Sequence, residues 1–100
     1  MKDEILSAKL NTLIGLFNVN VALADEVPDF VKGLSAKDQA ALREEYLDHL
    51  ENDRLNEEAF NLATSCTARS REMAQIFFEK VFKYAFEEGE EPEVTQYWNR

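Results

Sequence analysis

The sequence predicts an all-α protein, and three observations carry that prediction. Gly and Pro number only 3 and 2, too few for a turn-rich β architecture. Ala, Leu, Glu and Lys are plentiful while β-branched residues are sparse, a composition that favours helices. Apolar residues also recur at steps of three and four, the period of an amphipathic helix. The expected architecture is a compact bundle of about four helices, with a helical domain over residues 1–88 and an acidic tail over 89–100.

The first helix is expected over residues 3–24. Leu6, Leu10, Leu13, Ile14, Phe17 and Val21 share one arc of the helical wheel, and Ile5, Leu16, Val19 and Leu23 form a narrower stripe nearly opposite. Ala8, Gly15 and Ala22 recur every seven residues between the two stripes and leave a shallow groove. A helix apolar on two sides is normally buried between neighbours, here in the same chain or in a second copy. The run from Leu10 to Ala24 also resembles a secretory leader. Asp3 and Glu4 oppose a positive n-region, however, and Asn11, Thr12, Asn18 and Asn20 interrupt the apolar stretch. Neither a cleaved leader nor a membrane span is expected there.

Pro28 suits the first turn of a helix, so residues 28–32 read as a short helical turn closed by Gly33. Ser35-Ala36-Lys37-Asp38 is a variant capping box, with Asp in place of Glu or Gln. It opens a second long helix over residues 36–53, whose core arc is Ala40, Leu42, Tyr46, Leu47 and Leu50. Asn56 is an N-cap candidate, and Glu57 and Glu58 suit the positive end of the helix it would start. The helical pattern then continues over residues 57–88. Thr64-Ser65-Cys66-Thr67 is weak helix-forming sequence, so this stretch is either one long, kinked helix or two with a break near Cys66. Met73, Ala74, Phe77, Phe78, Val81, Phe82, Tyr84 and Ala85 cover about half the circumference of its second part, wider than one core face requires. Gly89 and Pro92 supply the stop. In the tail, Val94, Tyr97 and Trp98 have the spacing of a docked helical turn, with disorder as the competing reading.

The charge pattern is the most informative functional signal. Eight carboxylates lie between Asp38 and Glu58, against two arginines, and the net charge of the chain is −9. Such a surface repels nucleic acid and anionic membranes, so neither is an expected direct ligand. On the second long helix, Asp38, Glu44, Glu45, Asp48 and Glu51 fall opposite the core arc and form an acidic ridge. These five are the candidate partner-binding residues, and the candidate partner is a basic protein surface. Regularly spaced carboxylates approximate the field of nucleic-acid phosphates. The expected function is therefore that of a non-enzymatic inhibitor of a nucleic-acid-handling enzyme or complex, of the phage anti-defence or immunity-protein type. The first alternative is a structural or assembly protein acting through apolar helix faces. The second is a metal protein centred on His49. A homodimer is expected, through the first helix or the Phe77–Phe86 region, because both present more apolar perimeter than a small bundle hides.

His49 is the only histidine, with Glu45 and Asp53 four residues to either side. Zinc sites normally use more nitrogen or sulfur ligands than this, so the expected state is a surface histidine held charged by its neighbours. Cys66 is the only cysteine and permits no intrachain disulfide, which points to a reducing, cytoplasmic compartment. It falls in line with Ala59 and Ala63 and lacks a neighbouring base, so it reads as a core thiol rather than a nucleophile. Arg69, Arg71, Lys80 and Lys83 are too few, and too diluted by Glu72 and Glu79, to form a nucleic-acid footprint. No catalytic, metal or cofactor-binding motif is expected.

Overall fold

The computed structural model describes residues 7–98. Five α-helices follow one another as α1 (Ala8–Gly15), α2 (Val27–Lys32), α3 (Ala36–Glu51), α4 (Glu57–Thr64) and α5 (Arg71–Phe86), with 3-10 turns at Ala24–Glu26 and Val94–Gln96. The described residues contain no strand, only one isolated antiparallel bridge between Ala68 and Trp98. The fold is an all-α bundle, and among the described residues no helix is long and apolar enough to cross a membrane.

Helix α1 is much shorter than its sequence pattern suggests, ending at Gly15 rather than near Ala24. Backbone hydrogen bonds elsewhere take over from the helical ladder. The Leu23 amide donates to the Leu16 carbonyl at 3.1 Å, and the Val19 amide reaches the Thr64 carbonyl at 3.2 Å. Asn18 accepts the Asn20 amide on its side chain at 2.8 Å, the local competition by which a short amide side chain diverts a helix. Ala22 then adopts a left-handed φ of 57°. Phe17 is buried, whereas Val19, Val21 and Leu23 are exposed on this loop. The expected helical start at Asp3, together with Ile5 and Leu6, lies outside the described residues.

Helices α2 and α3 begin and end close to their sequence signals. Pro28 occupies the first turn of α2, with Gly33 as C-cap, and the Ser35 hydroxyl accepts the Asp38 amide at 3.1 Å to cap α3. The buried stripe of α3 is Leu42, Tyr46 and His49, while Leu47 and Leu50 are half-buried and Ala40 is exposed. This rotation away from the expected arc arises because α3 packs against both α5 and α1. Asn56 caps α4 by accepting the Glu58 and Ala59 amides.

The stretch over residues 57–88 is two helices. Ser65 ends α4 in a left-handed conformation with φ 65°. Thr64 donates its hydroxyl to the Phe60 carbonyl at 2.8 Å and accepts the Cys66 amide at 3.1 Å, and Ser70 caps α5 through the Met73 amide. Cys66 therefore lies beyond α4, half-buried at the edge of the core rather than on the helix with Ala59 and Ala63.

At the far end of α5 the left-handed residue is Glu88, with φ 59°, and the Gly89 amide donates back to the Lys83 carbonyl at 2.8 Å. A Cβ on Gly89 would stand 3.0 Å from that of Lys83. Close approach, rather than a positive φ, explains glycine at this stop.

Helix α5 packs against α2, α3 and α4, and this central position accounts for its wide apolar arc. Phe77, Phe78, Val81, Phe82 and Ala85 are all buried within the chain, so the region that sequence reasoning offered as a free apolar face is the core itself. Phe77 is the hub. Its ring centroid lies 5.0 Å from Phe60 of α4, 5.4 Å from Phe17 of the α1–α2 loop and 5.6 Å from Tyr97 of the tail. Near-perpendicular packing of this kind adds to burial through the ring quadrupoles. Tyr97 is 6% exposed, and its carbonyl accepts the Arg69 amide at 2.8 Å.

Candidate interaction surface

Helix α3 carries all five candidate partner-binding residues, and the fold divides them. Glu44, Asp48 and Glu51 lie at i, i+4 and i+7, exposed along one side of the helix. Asp38 is half-buried in the first turn. Glu45 is half-buried and turned toward the start of α1. Its two carboxylate oxygens accept the Ser7 backbone amide at 2.8 Å and the Ser7 hydroxyl at 2.7 Å. Ser7 is the N-cap of α1, so Glu45 ties the start of α1 to the middle of α3.

Among the described residues, neither Glu44 nor Glu51 has an ion pair or a side-chain hydrogen bond. Asp48 pairs with Arg54 at 2.6 Å while remaining 59% exposed. The Arg54 hydrogen bond and charge hold its carboxyl below the usual carboxylate range, so it keeps its negative charge to lower pH than a free aspartate does.

His49 is 3% exposed and not the surface histidine its sequence neighbours imply. It faces the bundle because α3 turns Tyr46 and His49 inward together. Its Nδ1 accepts from Arg54 Nε at 2.8 Å, and its Nε2 lies 3.4 Å from a Glu45 oxygen. Arginine is a donor only, so the geometry assigns the ring proton to Nε2. Asp53, the other carboxylate expected beside this ring, instead pairs with Arg71 and accepts from Gln75 on α5. A metal would have to displace a guanidinium from Nδ1. Among the described residues no three His, Cys, Asp or Glu side chains form a group able to hold an ion.

On α5, Glu79, Lys80 and Lys83 are exposed opposite the aromatic face. Arg43 lies 5.2 Å over the Phe82 ring and pairs with Glu87 at 3.2 Å, which removes the one cation adjacent in sequence to Glu44 from the acidic side.

A groove of about 580 Å³ runs between α1, α4 and the α3–α4 corner. Sequence reasoning anticipated only one wall of it, through the small residue Gly15. The rest depends on α4 crossing α1, which no local pattern reports.

Comparisons with protein-family models, with curated proteins and with solved structures give no match to this chain.

Proposed function

We propose that this chain is a small, acidic, non-enzymatic protein that binds and blocks a basic surface of a partner protein through the exposed side of α3. One observation supports the reading above the others: Glu44 and Glu51 are exposed without a countercharge among the described residues, with Asp48 between them. An unpaired carboxylate on a helix keeps its full field and has no existing ion pair to break when a cation meets it. The net charge of −9 adds long-range steering toward a positive site. A surface built for nucleic-acid phosphates, in a reducing cytoplasmic setting, is the kind of target such a ridge fits.

The test uses Glu44→Lys with Glu51→Lys, which leaves Asp48 in place to hold Arg54. The wild-type protein serves as bait in native extract, and the recovered partner is then titrated with salt and with competing nucleic acid. Binding should weaken steeply with salt, be displaced by nucleic acid, and be lost in the double variant while circular dichroism reports intact helices. Wild-type affinity in the folded double variant would sink the proposal.

A further inference from the structure

The groove between α1 and α4 has an apolar floor of Ile14, Gly15, Ala59 and Ala63. The space above Gly15 is open, since a Cβ built there has no atom within 4 Å beyond its chain neighbours and the α1 backbone. Leu62 stands on the rim at 77% exposure, far more than any other large apolar side chain among the described residues.

The charges around this groove are not balanced. Arg54, the cation lining it, is committed through Nε to His49 and through Nη2 to Asp48. Asp53 is paired with Arg71. Glu58 lines the groove, and neither it nor its neighbour Glu57 has a countercharge among the described residues. Among the described residues, the one lining carboxylate without an ion pair is thus Glu58, which stands with Asn11, Asn52 and Asn56 beside the apolar floor.

We infer that this groove seats an aliphatic side chain from a lysine- or arginine-rich amphipathic segment of the partner. The inference rests on the reading of the α3 ridge and deepens it: the carboxylates attract the segment, and the groove selects one that carries an apolar anchor. Charge complementarity argues for this occupant, because the Glu58 carboxylate beside an apolar floor, on a chain of net charge −9, matches a basic helix with one apolar stripe.

The probes are two synthetic lysine-rich helical peptides, one with leucines at i, i+3 and i+4 and one with glutamines there, titrated calorimetrically at fixed ionic strength. Wild-type protein should bind the leucine peptide about tenfold tighter, the order of affinity expected from burying one such side chain. Gly15→Leu fills the open space and replaces glycine with a better helix former. It should erase the preference while leaving glutamine-peptide affinity unchanged. Leu62→Asn, at an exposed site that cannot endanger the core, should reduce the preference as well. Glu44→Lys with Glu51→Lys should weaken both peptides equally.

Equal binding of the two peptides, or a preference that survives Gly15→Leu, overturns the groove proposal and leaves the ridge reading standing. Unchanged binding in the charge-reversed variant overturns the ridge reading instead. A wild-type dimer in light scattering that Gly15→Leu converts to monomer would assign the groove to a second copy, and that also overturns the proposal.

Discussion

Glu45 accepts both the backbone amide and the hydroxyl of Ser7, across 38 residues of sequence, at 2.8 and 2.7 Å. The neighbouring Glu44 carries the same charge on the same helix and faces solvent. One residue of helical rotation separates a structural tie from a candidate binding group.

That difference is measurable. Glu45→Ala should destabilise the protein by about 1–2 kcal/mol, through the lost charge-assisted hydrogen bonds and the weakened cap of α1. Glu44→Ala changes the net charge identically and should stay within about 0.5 kcal/mol of wild type. Urea unfolding of both variants decides the matter, and a double-mutant cycle with Ser7→Ala isolates the pair. Equal effects of the two substitutions would contradict the assignment.

The position of Phe77 among rings from α4, the α1–α2 loop and the tail makes it the most costly side chain to truncate. Phe77→Ala should cost about 3–5 kcal/mol, from lost burial and the cavity left between those elements. Ile76, one residue earlier and 40% exposed, should lose less than about 1 kcal/mol on the same change. Thermal and chemical denaturation of the pair would expose a misplaced α5 register, because a rotated helix would reverse the ranking.

Alkaline pH provides a third test. Tyr46 is fully buried and donates to the Phe78 carbonyl at 2.6 Å, and burial pushes its phenol well above the ordinary value. Burial, then the charge of Glu91, raises Tyr84 to about 12, and burial also raises Tyr97. The unfolded chain releases these protons near pH ~10 while the native state retains them. Their contribution is therefore fully present below that pH and is lost as pH rises through the native values. Tyr46→Phe should cost about 0.5–1.5 kcal/mol at neutral pH, and the gap to wild type should narrow at about pH 11. A gap that widens with pH would mean that the Tyr46 phenol ionises more readily in the folded protein than in the unfolded chain.

The class of the fold and several helix boundaries were legible in the sequence because they rest on local chemistry. Ser35 and Asn56 cap their helices through amides two and three residues away, and Pro28 and Gly33 bracket α2. Each is a contact the chain makes with itself over a few residues, so residue type and spacing suffice to report it. The Thr64–Thr67 run likewise marked the weak point between α4 and α5, though its hydroxyl chemistry alone left a kink and a full break equally open.

Tertiary contacts decided the remainder. The apolar periodicity through Val21 argued for a long first helix, but the Thr64 carbonyl captures the Val19 amide, a bond that exists only once α4 lies beside α1. The half-circumference of aromatics on α5 resembled an interaction surface, and it became the core because helices pack on it from several sides. On α3, a wheel drawn from sequence treats Glu44 and Glu45 as members of one acidic ridge and leaves His49 in solvent. Packing against both α1 and α5 buries His49 and half-buries Glu45, and Arg54 and Ser7 supply hydrogen bonds that offset the water each loses. Periodicity reports that a helix has an apolar side; how far that side rotates, and which polar groups go in with it, depends on the partners that arrive from distant parts of the chain.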